Sequence, residues 1–302
     1  MVAPEQPRIP RDLYPFQGKL LDVEGLGYHY LDEGHGDPVV MVHGNPSWSF
    51  YYRNLVQNLR GGYRTIVPDH IGCGLSDKPG DDRYSYTLRR RVLDLTRLLD
   101  SLALEQKITL VLHDWGGMIG MAYAAAHPER IGRIVLLNTA AFHLPAGKKV
   151  PLALTFMRSS RLGALMVRGM NGMSRGASLI GCKRHPMSGA VRDAYAAPYD
   201  SWAHRIATLR FVQDIPLTPA DPSYADVSAV QEALPLFRTT PTLICWGEKD
   251  FVFDREVLGI WRATWPDAEV LALADCGHYV LEDAPEEVIP RIRRFLDAHP
   301  LP

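Results

Sequence analysis

Cysteine is scarce in this 302-residue chain. Cys73, Cys182, Cys245 and Cys276 form no C-x-x-C pair and lie far apart, which argues against a disulfide framework or a thiolate zinc centre and fits a reducing cytoplasm. No sign of charge is in excess. Lys and Arg number 33 against 34 Asp and Glu, for a formal net charge of −1, so no global basic field draws the chain to nucleic acid or anionic lipid. Lys148 with Lys149, and the run Arg89, Arg90, Arg91, read as solvated local clusters. Long apolar runs are missing too. The longest candidate, PLALTFMRSSRLGALMVRGM, is broken by Arg158, Arg161 and Arg168, which excludes a simple membrane span. The opening MVAPEQPRIPRDLYPF is proline-rich and lacks the apolar core of a signal peptide. There is no H-E-x-x-H, P-loop or G-x-G-x-x-G, so no metal, nucleotide or other cofactor is expected.

What is present is alternation. Apolar residues make up 46% of the chain, enough for a sizeable core. KLLDV and GYHYLDE predict an opening hairpin, and PVVMVHG, YRTIVPD, ITLVLHD and IGRIVLLN predict buried strands. SFYYRNLVQNLR, YTLRRRVLDLTRLLDSL and GMIGMAYAAAH between them predict helices. TPTLICWGEKD and AEVLALAD resume the strand pattern, and PEEVIPRIRRFLDAH closes as an amphipathic helix. Such βα order predicts a mostly parallel, doubly wound sheet. The stretch 141–228 has no clear β run and is rich in Met, Pro and Arg. It is expected to be a helical cap over the strand C-termini, inserted into a core of 1–140 and 229–302. Met157, Met166, Met170, Met173 and Met187 either pack this cap or line it for a flexible apolar substrate.

The chemistry begins at TLVLHDWGGMIG, residues 109–120. A strand, a polar corner and a glycine-opened helix is the setting of a nucleophilic serine in G-x-S-x-G, yet the corner holds Asp114. Asp250 follows the strand TLICWGEK, and His278 lies in DCGHYVLED after the last strand. Nucleophile, acid, histidine is the chain order of α/β-hydrolases, and each candidate sits after the right kind of strand. The blander readings are a helix N-cap for Asp114, a turn for Asp250 and a loop histidine. An aspartate nucleophile is already ionised near neutral pH, makes an ester or anhydride, and leaves the histidine free for the second half-reaction. Asp250 would orient His278. Trp115 offers an indole N–H and Asn45, in HGNPSWSF, an amide; two neutral donors suit a halide or a departing oxygen anion. Core packing for Trp115 and an Asx-turn for Asn45 are the alternatives. His43 and His113 are expected to pack or bond backbone, and Asp69, Gly72 and Gly74 to shape a turn.

Taken together, HGNPSWSFYYR, VPDHIGCGLSDKP, LHDWGG, WGEKDFVFD and CGHYVLED resemble the haloalkane dehalogenase family of α/β-hydrolases over nearly the whole chain. The resemblance implies Asp114 as nucleophile, Asp250 as acid, His278 as base, and Asn45 and Trp115 as leaving-group donors. Some dehalogenases carry the acid as a glutamate after the preceding strand; here that region reads LLNTAAF, with Asn138 and no acid. Within the family the chain is similar to the β-lactone decarboxylases of bacterial long-chain olefin biosynthesis (OleB type). These convert cis-3-alkyl-4-alkyl-oxetan-2-ones to cis-alkenes and carbon dioxide. The motifs alone do not separate that activity from dehalogenation. Fluoroacetate dehalogenases carry arginine where this chain has Trp115, and epoxide hydrolases have HGFP and use cap tyrosines, a role open here to Tyr195 or Tyr199. A non-catalytic receptor on the fold typically loses a triad member, and none is lost. The resemblance also implies a lipophilic substrate and assembly with a β-lactone synthetase and a thiolase-like enzyme.

Overall fold

The structure, a computed structural model, describes residues 9–145, 147–148 and 150–301. The first eight residues and Lys149, both touched on above, lie outside the described residues. Eight strands form one sheet: β1 (Lys19–Val23), β2 (Leu26–Glu33), β3 (Asp37–Val42), β4 (Tyr63–Pro68), β5 (Ile108–Asp114), β6 (Ile131–Thr139), β7 (Thr242–Gly247) and β8 (Glu269–Leu273). Their order is β1-β2-β4-β3-β5-β6-β7-β8. Only the β1–β2 and β2–β4 pairings are antiparallel. The expected mostly parallel α/β-hydrolase sheet is therefore what the chain forms.

Central strands are apolar on both faces because helices cover both. All seven residues of β5 are buried. Val40, Leu110, Leu112, Ile134 and Ile244 point to the layer of α2 (Leu88–Ser101) and α3 (Trp115–Ala126). Their neighbours Val39, Met41, Val111, Val135 and Leu243 point instead to α1 (Arg53–Leu59). This is the two-residue alternation of a strand read on opposite faces. Leu88, Leu95 and Leu98 give α2 its inward stripe, and the Thr87 side chain caps its start.

Between β6 and β7 the regular elements among the described residues are helices: α4 (Leu152–Ser159), α5 (Arg161–Met170), α6 (Gly172–Ile180), α7 (Gly189–Ala196), α8 (Ile206–Gln213) and α9 (Tyr224–Ala233), with short 3-10 turns. Helix α9 runs unbroken across 228–229 and packs against α3, so a division at that point falls inside a helix. The five methionines do not act alike. Met173 and Met187 are buried, whereas Met166 and Met170 face solvent. Besides the single turn Val280–Asp283, one longer helix was not expected: α10 (Arg255–Thr264) fills the crossover from β7 to β8. Asp254 caps it through the Glu256 and Val257 N–H groups, and Val257, Leu258 and Trp261 bury its inner face. The closing helices are α11 (Val280–Asp283) and α12 (Pro285–Ala298), the latter joining α1 on its side of the sheet.

Candidate active site

The site stands on the C-terminal ends of β3, β5, β6, β7 and β8. At the end of β5 the register with β6 shifts between His113 and Asp114, and Asp114 takes φ 52°, ψ −125°. A side chain at positive φ is held there only by its surroundings. Two glycines make the corner possible. A Cβ on Gly116 would lie 1.9 Å from the Val42 carbonyl oxygen, and one on Gly44 would lie 2.0 Å from Asp114 Oδ1. The Asp114 side chain does not cap α3. Its Oδ1 accepts the Asn45 backbone N–H at 2.6 Å, and the carboxylate looks into the cavity. The helix-cap reading of this residue therefore fails.

His278 lies opposite, with Nε2 3.8 Å from Asp114 Oδ2. Its Nδ1 meets Asp250 Oδ2 at 2.7 Å. Asp250 is in turn held on both oxygens: Asn138 Nδ2 donates to Oδ2 at 3.0 Å and the Val252 N–H to Oδ1 at 2.8 Å. Asn138 is itself fixed by accepting the Gly247 N–H at 2.8 Å. The residue noted for lacking an acid is thus the clamp on the acid that is present. From the helical segment, the Gly181 carbonyl accepts the His278 N–H at 2.7 Å.

Both pKa values are raised, for different reasons. It raises the Asp114 pKa above the usual carboxylate value, against the opposing pull of His278 and the Asn45 and Trp115 N–H groups. At His278 burial would lower the pKa, but the Asp250 charge and hydrogen bond, with Asp114 beyond, outweigh it and hold the imidazole above its ordinary value. His113 bonds the His278 carbonyl at 3.0 Å, and burial holds its own pKa well below normal, so it is neutral support. His43 meets the Gly44 carbonyl through Nδ1 at 2.7 Å. Asp69 receives the Ser49 and Leu75 N–H groups, beside Gly72 at φ 91° and Gly74 at φ 50°. Both behave as the structural residues they were expected to be.

Asn45, Asp114, Trp115 and His278 all line one cavity of about 160 Å³. Its remaining wall is mostly apolar, with Leu154, Met173, Val212, Ile215, Phe251 and Phe253. Trp115 Nε1 makes no hydrogen bond among the described residues, and Asn45 Nδ2 spends one N–H on the Thr208 carbonyl at 3.1 Å. Two neutral donors are thus left beside the Asp114 carboxylate. Tyr195 and Tyr199 do not line this cavity; their hydroxyls bond Glu282 and the Ser47 carbonyl. The cap-tyrosine alternative loses its residues. Among the described residues no cluster of His, Cys, Asp or Glu has the makings of a metal site.

One member of each charge cluster departs from the solvated face the sequence suggested, while Arg89 is exposed as expected. Arg91 is 1% exposed, paired with Asp214 at 3.2 Å and set 3.6 Å from the Phe211 ring centre and 5.9 Å from that of Trp115. It falls at the i+3 position from Leu88, on the buried stripe of α2, which pulls it inward. Lys148 borders the cavity and is held by Asp254 and Glu256.

A family model described as alpha/beta hydrolase fold matches residues 37–285. A cis-3-alkyl-4-alkyloxetan-2-one decarboxylase of Shewanella oneidensis is 60% identical over 94% of this chain and 89% of its own length. One from Xanthomonas campestris pv. campestris is 50% identical over 95% and 98%. A solved haloalkane dehalogenase of Agrobacterium tumefaciens superposes with a TM-score of 0.83 at 24% identity, covering 94% of this chain and 97% of the other.

Proposed function

Because the chain belongs to the alpha/beta hydrolase fold family, and within it to the group of the cis-3-alkyl-4-alkyloxetan-2-one decarboxylases, we propose that it converts a cis-β-lactone to a cis-alkene and carbon dioxide. The observation that carries the mechanism is Asp114, a buried carboxylate on a strained corner 3.8 Å from His278 Nε2 at the floor of an apolar cavity. Asp114 attacks the ring carbon bearing the lactone oxygen. One C–O bond forms, the ring C–O bond breaks, and the product is an alkyl ester of Asp114 carrying a free carboxylate on the neighbouring carbon. The carboxylate then leaves as carbon dioxide, its electron pair becomes the C=C bond, and Asp114 is expelled unchanged. Inversion in the first step and anti departure in the second together carry cis-lactone into cis-alkene. No water or net proton is consumed.

In this cycle Trp115 and Asn45 hold the oxygen that becomes anionic, and His278, kept protonated by Asp250, stabilises the departing Asp114 carboxylate. Helices of 141–228 serve as the cap over the lactone. Dehalogenation uses the same carboxylate but needs a neutral His278 to activate water. The solved dehalogenase, at 24% identity, speaks for the fold alone. Incubating the protein separately with a cis-β-lactone and a bromoalkane, and measuring alkene, carbon dioxide and bromide, decides between them. Alkene with carbon dioxide is expected; bromide without alkene would assign the chain to dehalogenation. The same proposal places the chain in the cytoplasm, together with the enzyme that closes the β-lactone and a thiolase-like enzyme. Co-elution in size-exclusion chromatography is expected, and a chain that always elutes alone would remove the assembly.

A further inference from the structure

A surface helix of a water-soluble domain normally turns its apolar stripe inward. Helix α5 does the reverse for most of its apolar residues. Leu162, Leu165, Met166 and Met170, spaced i, i+3, i+4 and i+8, are 59%, 52%, 41% and 70% exposed. The inward side is narrow: Gly163 and Val167 are its buried residues. The neighbouring helices add to the exposed area, α4 through Leu152 and Phe156 and α6 through Leu179 and Ile180. Trp202, 49% exposed, is within reach of the same stripe, since a Cβ on Gly169 would sit 3.4 Å from Leu165 and 3.9 Å from the indole. An exposed apolar area of this extent marks a surface that something covers.

Charge says what covers it. The chain's formal net charge is −1, yet from Leu144 to Arg192 it carries nine Lys or Arg residues and no Asp or Glu; Lys148, Arg158 and Arg184 pair with acids from elsewhere, which leaves Arg161, Arg168 and Arg175 on these helices without an ion pair among the described residues. Arg161 and Arg175 are exposed. Arg168 lies 4.6 Å from the centre of the Trp202 ring. Exposed Leu, Met, Phe and Trp set among unpaired arginines is the composition of helices that lie in the headgroup layer of an anionic membrane. No described helix is long and apolar enough to cross one. The face also adjoins the cavity, because Leu154 on α4 and Met173 and Ala177 on α6 line it.

We propose that the outer face of α4–α6 docks on an anionic phospholipid surface, seating the cavity wall against the acyl layer. This stands on the face itself and does not depend on the lactone chemistry. The test is co-sedimentation of the full chain with vesicles of phosphatidylcholine alone and of phosphatidylcholine with phosphatidylglycerol. Binding is expected to the anionic vesicles, weakening as salt rises. The triple variant Leu162→Ser, Leu165→Ser, Met166→Ser should lower bound protein by about tenfold or more. None of the three residues lines the cavity, so turnover of a short, soluble substrate should stay unchanged. Arg161→Gln with Arg175→Gln should abolish the preference for the anionic lipid. Sedimentation no better than without vesicles would overturn the proposal. So would a dimer that the triple variant dissociates while vesicle binding is absent, since the face would then belong to a second copy.

Discussion

Replacing Asp250 by asparagine tests the electrostatic core of the mechanism with almost no change of shape. Asp250 Oδ2 receives His278 Nδ1 at 2.7 Å, and Oδ1 receives the Val252 N–H at 2.8 Å. An asparagine keeps the shape without the charge: with its oxygen in the Oδ2 place its NH₂ faces the Val252 N–H, and turned the other way its NH₂ faces both His278 Nδ1 and Asn138 Nδ2. The imidazole loses a charge-assisted hydrogen bond, of the order of 1.5–3 kcal/mol. Since 1.36 kcal/mol corresponds to one pH unit, the His278 titration should move to lower pH by about one to two units. The direction is set: the wild-type pKa is raised chiefly because Asp250 outweighs burial, and the variant keeps the burial without the charge. If decarboxylation needs the imidazolium, wild-type kcat falls as pH rises through this pKa, and in Asp250→Asn the fall begins earlier. At neutral pH the variant should lose up to about 10–10²-fold in kcat, the same one to two decades. The assay is the pH profile of alkene release under saturating lactone, with circular dichroism to confirm folding. A wild-type profile that rises through the histidine pKa, or a limb that stays put in the variant, would refute the reasoning.

Asp114→Ala should abolish alkene release while the protein stays folded, because it removes the covalent handle and a buried charge, leaving one Asn45 N–H unpaired at a cost of about 1–3 kcal/mol; thermal melting checks the fold, and substantial turnover in the folded variant would exclude this nucleophile. His278→Ala should slow ester collapse enough to leave an adduct on Asp114, visible by intact-mass spectrometry, whereas free enzyme with unchanged turnover would remove the histidine from the cycle. On the acid side, activity should rise with pH as Asp114 ionises, and this limb should lie above the usual carboxylate range because burial raises the Asp114 pKa. With alkyl chains lengthened one methylene at a time, kcat/KM should climb by up to about fourfold per step, equivalent to about 0.8 kcal/mol, until the apolar cavity is filled; a flat series would contradict an apolar site.

Much of this was legible in the sequence, for physical reasons. The strands that lead to Asp114 and Asp250 are buried along their whole length, so their apolar runs are uninterrupted, and each run stops where the chain leaves the sheet toward the site; β8, before His278, is a partly buried edge strand whose short run Val270–Leu273 was still enough to read. What could not be read was anything set by a neighbour distant in sequence. Arg91 looked solvated because it sits in a triplet of arginines, although its spacing from Leu88 and Leu95 already placed it on the inner stripe; its partners Asp214 and Phe211 come from α8 and the loop beyond it. Asn138 gave no signal of its own, since its role exists only once β6 and β7 are paired. Helix α10 was readable and was missed: Asp254 is a capping residue, and Val257, Leu258 and Trp261 are spaced for one face. The methionines carried no information about direction, because amphipathic spacing states which residues share a face and not whether that face meets protein or solvent.

The placement of β7 beside β6 has a consequence for how the protein is made. During synthesis β6 is complete at Thr139, but the strand that covers its free edge begins only at Thr242. At about 5–20 residues per second, the ribosome needs roughly 5–20 s to deliver the hundred residues between them. Throughout that interval a nearly finished parallel sheet shows a bare edge while the helices of the insertion are still emerging. An exposed edge of this kind is a template for pairing with other chains. Asp114 leaves the ribosome early, and the imidazole that lies 3.8 Å from it in the finished fold follows only with His278. The nascent chain thus carries a bare sheet edge before the proposed site is complete, and its yield in the cell should rise with chaperone supply.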